Sequence, residues 1–510
     1  MNDKSRSYNT KRNAIVNIIS QFIILILNFA TRKIFIVAFG ENYLGISGLF
    51  SNILSVLSLA ELGVGSAILY CLYKPVSEKD YAHINALINY YKKLYRVIGV
   101  IVAFVGIAVV PLLKFIVNIE ADIGNITLYY LLYLANIVAS YFLVYKTAIL
   151  TADQKHYIIK ASSIAMQIVQ FIVLTIVALL VKDYTLYLAL HIVFSVLTNV
   201  ITSYIASRMY PFIKGKNQIS DDEKKDIWKN IKALFSYQIG NVLINHTDNI
   251  LISILVSTIV VGFYSNYSMV VMAVSTFVML LFNSAQASIG NLAAKESEEQ
   301  QYGVFKKMSL ISFLVTSFSV VGFISLFQDF IEIMYTDYYL MDFKIVIICA
   351  LNFYMVNILQ PVYCYRSTVG LFKDTRMIMI YTAIINIVLS ILLGIVWGLF
   401  GILIATFISR LLTNFWFEPL VLYKKYFKKS VKSYFKDQLI YSLLTLFMVL
   451  VMIGIGHLLS SLNIYLRFVL KILLCILIPS LVYIVSFRKN ELFIQVIGKI
   501  KKTVLKKKLN

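Results

Sequence analysis

The sequence predicts an all-α polytopic membrane protein of about fourteen transmembrane helices, and three observations carry that expectation. Of 510 residues, 60% are hydrophobic and only 14% charged, and the mean hydropathy is +0.80. A soluble domain is about 45–50% apolar and about 25% charged. The apolar residues gather in runs of roughly 20 or more, the length of helix that crosses a hydrocarbon core about 30 Å thick. Basic residues, finally, alternate between connecting segments. Length alone would suggest three soluble domains; composition excludes them. Six prolines and 21 glycines exclude a disordered or collagen-like chain.

The expected spans lie near 13–38, 44–72, 94–117, 126–150, 158–181, 185–209, 233–257, 262–292, 308–331, 343–366, 377–396, 400–423, 437–458 and 464–486. The division between the eleventh and twelfth falls at Trp397-Gly398, where two runs nearly touch. Barrel strands would alternate polar and apolar over about ten residues; these runs are longer and continuously apolar. The first run lacks a small-residue cleavage site and is expected to be an uncleaved span. Cys71, Cys349, Cys364 and Cys475 all fall in apolar spans, which suggests buried thiols and neither a disulfide framework nor a metal site.

Charge orients the bundle. The chain carries 47 Lys+Arg against 25 Asp+Glu, a net +22. With the N-terminus in the cytoplasm, alternate segments 1–12, 73–93, 151–160, 208–232, 295–307, 366–376, 424–436 and 487–510 hold 37 basic residues. The opposite loops hold only Lys182, Lys344 and Arg467. That asymmetry puts both termini in the cytoplasm. It also removes the need for nucleic acid as the partner of a basic chain.

An internal repeat divides the spans. At an offset of 217, Gln21 falls on Gln238, Asn28 on Asn245, Gly45 on Gly262, Ser51 on Ser268 and Ser58 on Ser275. With small gaps, Lys92-Lys93 falls on Lys306-Lys307, and Tyr145-Lys146-Thr147 resembles Tyr365-Arg366-Ser367. Two parallel six-helix lobes follow, with a substrate path expected between them. The organisation is then a tail 1–12, an N-lobe 13–210, an inter-lobe segment 211–232, a C-lobe 233–424, two extra spans in 425–486 and a basic amphipathic tail 487–510. Ser220-Asp221-Asp222-Glu223 reads as a capping box opening a short interfacial helix. Phe493, Val496, Ile497, Ile500 and Val504 share one face of the tail, which with its lysines suits anionic membrane lipids.

Polar residues inside spans nominate a lumen. Asn17, Gln21, Asn28 and Arg32 lie on one face of the first span, with Lys33 beside them. Gln238, Asn241, Asn245 and Asp248 form a stripe on the seventh, and Ser51, Ser55, Ser58 and Glu61 on the second. An ionised side chain deep in a bilayer costs roughly 2.5–3.5 kcal/mol. Arg32, Glu61 and Asp248 are therefore expected to face a wet cavity or each other, the alternative being a clamp that fixes helix packing. Guanidinium suits an anionic, phosphate-bearing substrate; the carboxylates would carry protons or a cation. Lys146 and Arg366 could receive a phosphate at the cytoplasmic mouth or simply snorkel. Arg410 lies mid-span in the twelfth helix, and His191 is a lone intramembrane histidine. No cofactor is expected, with H+ or Na+ coupling left open.

Catalysis finds no motif. The chain lacks GxxxxGK-S/T, GxGxxG, HExxH, paired CxxC and a nucleophile elbow. No connecting loop is long enough for a catalytic domain, so a non-enzymatic protein is expected.

The stretch Thr31-Arg32-Lys33-Ile34 through Phe39-Gly40-Glu41-Asn42-Tyr43-Leu44-Gly45, followed by Leu59-Ala60-Glu61-Leu62-Gly63-Val64-Gly65-Ser66-Ala67-Ile68, resembles the polysaccharide flippase family (Wzx-type O-antigen and capsule repeat-unit translocases). Asp248-Asn249-Ile250-Leu251 with Gly262-Phe263-Tyr264-Ser265 resembles that family's seventh and eighth spans, although Asn249 stands where an Arg is usual. These motifs are shared with the wider superfamily of MATE multidrug exporters and lipid II flippases. The resemblance implies two MATE-like lobes working by alternating access in a bacterial cytoplasmic membrane. It implies a substrate of undecaprenyl-diphosphate-linked oligosaccharide, carried outward for surface polysaccharide synthesis, with a polymerase and assembly proteins as partners. A lipid II flippase, a cation-coupled drug exporter and a non-transporting scaffold of a polysaccharide-assembly complex remain as alternatives.

Overall fold

A computed structural model describes residues 3–61 and 63–506. Eighteen α-helices and no strand occur among these residues. In order they are α1 (Asp3–Leu57), α2 (Val64–Glu78), α3 (Tyr81–Val109), α4 (Leu113–Ile116), α5 (Ile126–Tyr141), α6 (Ala148–Ala152), α7 (His156–Ile176), α8 (Tyr184–Met209), α9 (Asp221–Leu255) and α10 (Thr258–Lys295). There follow α11 (Glu298–Tyr335), α12 (Phe343–Ile358), α13 (Gln360–Thr368), α14 (Phe372–Leu412), α15 (Asn414–Leu422), α16 (Lys432–Leu458), α17 (Ile464–Phe487) and α18 (Glu491–Lys506).

Ten of the described helical stretches are long and apolar enough to cross a membrane, or eleven if the pair Ile126–Tyr141 and Val144–Ala152, bent by 43°, forms one span. Fourteen were expected, and glycine explains part of the difference. Ile15–Leu57 and Met377–Phe427 each run across two expected spans. The helix bends without ending at Gly40 (φ 80°) and Gly398 (φ 58°), conformations that side-chain-bearing residues rarely adopt. The second expected span departs in the opposite sense. It is interrupted by the 3-10 turn Ser58–Glu61 and by Gly63 at φ 85° before α2 resumes.

Two compact units divide the chain, Met1–Gly262 and Phe263–Asn510. In the first, α1 packs on α5, α7 and α9, α7 on α8, and α3 on α2 and α5. Its connections gather at two ends. At one, Asn85 Nδ2 donates to the Phe212 carbonyl (3.0 Å), Asn89 Nδ2 to the Gly215 carbonyl (2.9 Å), and Asn13 Nδ2 to the Gln154 carbonyl (2.8 Å). Segments expected on the cytoplasmic side thus meet one another. At the other end the Asn118 amide donates to Thr258 Oγ1 (2.8 Å) and Tyr43 Oη to the Ile123 carbonyl (3.2 Å). There the repeat-related Gly45 and Gly262 touch. A Cβ on Gly45 would sit 2.2 Å from the Thr258 carbonyl oxygen, and one on Gly262 2.8 Å from the Gly45 nitrogen.

Ser220 accepts from the Glu223 amide (3.3 Å) as the capping pattern predicts. The helix it opens is not short, however. It continues for 35 residues as α9 and carries the seventh expected span. Glu223 bonds instead to His83 Nε2 of α3 (2.7 Å).

The second unit is organised on α11, which packs against α12, α16 and α17. Phe313 stacks on Tyr441 at 4.3 Å, and Ser317 meets the Tyr483 hydroxyl at 2.7 Å. Val321 packs with Met448, Met452 and Cys475 in a buried cluster. Ion pairs close both ends of this seam. Lys306 pairs with Asp437 at one, and buried Asp329 takes Lys471 (2.7 Å) and Arg467 (2.9 Å) at the other. The last two spans are thereby fastened to α11. All four cysteines are free thiols, three of them buried.

Candidate functional site

In the first unit the polar face of α1 opens on a cavity of about 440 Å³. Asn28 and Thr31 line it from α1, Gln167 and Gln170 from α7, and His191 and Asn199 from α8. Apolar walls come from Ile24, Leu27, Phe35 and Phe171. Helical spacing explains the polar set: positions three, four, seven or eight apart share a face, so the amides and hydroxyls of each helix reach the cavity together. Gln21 is half-buried one turn pair earlier, and Lys33 is exposed.

Arg32 follows Thr31 and is half-buried. Its charge lies within electrostatic reach of Tyr133 on α5 and Tyr187 on α8, the latter also lining the cavity. Tyr133 in turn donates to Ser47 Oγ (2.8 Å). Aromatic packing around Tyr184, with Phe39 at 5.3 Å and Tyr43 at 4.6 Å, closes this side.

Glu61 occupies the break in the second span. It accepts from Tyr95 Oη (2.5 Å) and lies beside Tyr91 and Tyr141. The tyrosines that surround Glu61 thus come from α3 and α5, and those near Arg32 from α5 and α8. Breaks in spans leave backbone groups available at depth, which makes an ionisable residue there a pointer to transport.

On α9, Asn245 donates to the Asn241 carbonyl (2.7 Å) and to Asn241 Oδ1 (3.0 Å). Asp248 is buried, Gln238 half-buried, and His246 Nδ1 meets Asn52 Oδ1 of α1 at 2.9 Å.

Lys146 sits in the bend between α5 and α6, and the structure surrounds it with cations. Lys146 and Lys92 approach the Tyr145 ring at 5.9 and 5.7 Å. Arg96 lies within electrostatic reach of that tyrosine, and Lys214 of Lys146. None of the four has a carboxylate at ion-pair distance among the described residues. Sequence reasoning singled out Lys146 but not its companions, which come from α3 and the connection after α8.

In the second unit Arg366 is buried, its guanidinium 2.5 Å from Glu418, whose side chain has no exposure. Arg410 is half-buried in the last turn of α14, just before the break at Thr413. Glu418 and Asp329 were not nominated from the sequence, although both are carboxylates at span depth. A buried polar group also went unseen: Asn386 donates to Thr406 Oγ1 (2.9 Å) and Thr382 to Asn414 Oδ1 (2.8 Å).

No family model matches the chain, and no curated protein matches it. Solved structures do. The lipid II flippase MurJ in an inward closed conformation superimposes with a TM-score of 0.68 over 93% of this chain and 98% of its own, at 17% identity. The fold is shared with known transporters. An inward-facing MATE multidrug transporter of the MOP superfamily gives 0.64 at 15% identity, covering 82% of this chain and 99% of its own. A mutant of a Vibrio cholerae MATE transporter gives 0.58 at 13% identity, covering 84% and 98%. These neighbours are transporters, not enzymes, and at such identities the likeness is one of fold.

Proposed function

We propose that the protein is a flippase that carries an undecaprenyl-diphosphate-linked oligosaccharide from the cytoplasmic to the outer leaflet by alternating access. The observation that carries this reading is the cationic group Lys92, Arg96, Lys146 and Lys214, which has no carboxylate at ion-pair distance among the described residues. Positive-inside charge assigns that end of the first unit to the cytoplasm, where a lipid diphosphate would be collected. A diphosphate recruits several cations at once and pairs with guanidinium bidentately. Arg32, next to Thr31 on the wall of the polar α1–α7–α8 cavity, is a further basic residue of the unit. Meanwhile Asp329 and Glu418 already hold cations and Glu61 a tyrosine. The apolar faces of α16 and α17, with exposed Leu443, Phe447 and Leu450, suit a long polyprenyl tail.

The lipid II flippase fold favours a second substrate of the same chemical class, lipid II itself, which differs in its sugar-peptide head. Flipping of both lipids into the outer leaflet of vesicles, by wild type and by Lys146→Ala and Arg32→Ala variants, tests the proposal. Either variant should lose at least about tenfold in rate, the order expected for one charge-assisted contact. Wild-type rates in correctly inserted variants overturn the residue roles. Lipid II flipped in preference to lipid-linked oligosaccharide assigns the second substrate.

A further inference from the structure

A second cavity, of about 690 Å³, lies at the other basic feature of the first unit, where the α2–α3 turn, α6 and the end of α8 meet. Its lining includes Lys74, Lys79, Tyr81, Asp153, Gln154 and Phe212. Tyr81 and Phe212 form one aromatic wall, their rings 4.5 Å apart. The lysines are exposed at the mouth: among the described residues Lys74 has only a 4.0 Å approach to Glu78, and Lys79 has no carboxylate at ion-pair distance.

The floor carries one carboxylate. Asp153 is 8% exposed, and its Oδ2 takes both the Tyr210 hydroxyl (2.5 Å) and Lys155 (2.8 Å). Burial first, and the neighbouring Asp153 second, push the Tyr210 phenol up, so it remains a donor to that carboxylate. Asp153 Oδ1 is left as an acceptor for something else. Gln154 Oε1 has no hydrogen-bond partner but is closed to solvent, so it is not offered to the cavity. Backbone geometry adds a third observation. Lys79 and Gln154 hold φ of 59° and 58°. Glycine is the unstrained choice at such helix ends, so two side chains are retained around one cavity at a cost in strain.

Cations at the mouth call for an anion, and the open Asp153 Oδ1 calls for a hydroxyl donor. Lys155 already neutralises Asp153, which disfavours an amine. We infer that this cavity binds a phosphate ester of a polyol, its phosphate on Lys74 and Lys79 and a hydroxyl on Asp153. The chemistry is shared by the headgroup of phosphatidylglycerol and by a soluble polyol phosphate. This site stands apart from the transport reading, since binding is measured without flipping.

The test uses the full chain in phosphatidylcholine nanodiscs. In one arm glycerol 1-phosphate is titrated; in the other, phosphatidylglycerol or phosphatidylethanolamine replaces part of the bilayer, and retained lipid is counted by native mass spectrometry. One saturable ligand per chain is expected, weakened about tenfold or more by Lys79→Gly, by Lys74→Ala and by Asp153→Asn. Lys79→Gly also relieves the left-handed strain, so it should keep or raise the melting temperature while losing ligand. Lys182→Ala, a left-handed lysine outside the cavity, should bind as wild type. Binding of the soluble ester identifies a free metabolite, and retention of phosphatidylglycerol alone identifies a lipid headgroup. Equal retention of phosphatidylethanolamine, no saturable binding, or wild-type affinity in Lys79→Gly and Lys74→Ala overturns the inference.

Discussion

Replacing Arg366 by Met strands the Glu418 carboxylate in the interior of the second unit. The two side chains are 7% and 0% exposed and stand 2.5 Å apart. Glu418 Oε2 takes the guanidinium and Oε1 has no hydrogen-bond partner, so the guanidinium is what compensates the charge. Removing one member of a buried pair typically costs about 3–5 kcal/mol. Replacing both by apolar side chains of similar volume is often close to neutral, because both desolvation costs vanish together. The unit is of a size for which each kcal/mol shifts the midpoint by roughly 2–4 °C. Arg366→Met and Glu418→Met should therefore each lower the melting temperature by on the order of 10 °C, while the double variant recovers most of the loss. The free, buried Cys349, Cys364 and Cys475 supply the assay, since a thiol-reactive dye reports their exposure on heating. Single variants that melt within about 2 °C of wild type, or a double variant no better than either single, would refute the pair as a structural clamp.

Gly45→Ala places a Cβ 2.2 Å from the Thr258 carbonyl oxygen; backbone must move, and the same thermal assay should show a loss of about 1–3 kcal/mol. Gly322→Ala, with nothing within 4 Å of the new methyl, is the control and should be neutral or slightly stabilising. Asp329→Asn removes the carboxylate that Arg467 and Lys471 share, leaving Arg467 only Glu332 at 3.8 Å. It should loosen α17 from α11 by about 3 kcal/mol, read as faster tryptic cleavage at Arg467. Tyr95→Phe removes the donor held by Glu61 and should cost about 1.5–3 kcal/mol in the melt, as loss of a hydrogen bond to a charged group does.

Spans and kinks were legible where a local rule governs them. Run length gives the helices, and the division placed at Trp397-Gly398 coincides with a bend at Gly398, because only glycine relaxes there. The polar face of α1 was legible for the same reason: helical spacing alone puts Asn28 and Arg32 on one side. The interruption at Ser58–Gly63 was not. Its residues are apolar enough to extend a span, and the clue was Glu61 followed by glycines at 63 and 65. Pairings were out of reach in principle. Nothing local says that Arg366 finds Glu418 across 52 residues, or that Lys92 and Arg96 come round to Tyr145 beside Lys146. Depth in a span could have nominated Glu418 and Asp329; only the fold could partner them.

The anionic substrate proposed above rests on which charges are already spoken for. Charge at depth persists only when compensated or wet. Within the second unit the buried carboxylates are compensated internally: Asp329 by Lys471 and Arg467, Glu418 by Arg366. In the first unit the balance is reversed. Glu61 is satisfied by a neutral hydroxyl, whereas Lys92, Arg96 and Lys146 gather at Tyr145 with Lys214 near Lys146, and none of the four has a carboxylate at ion-pair distance among the described residues. Four like charges repel unless water screens them or an anion arrives. A transporter of cationic drugs would gain from the opposite arrangement, with carboxylates left over and cations tied in pairs. The surplus here is cationic and local, and a diphosphate arriving from the basic side would relieve its repulsion.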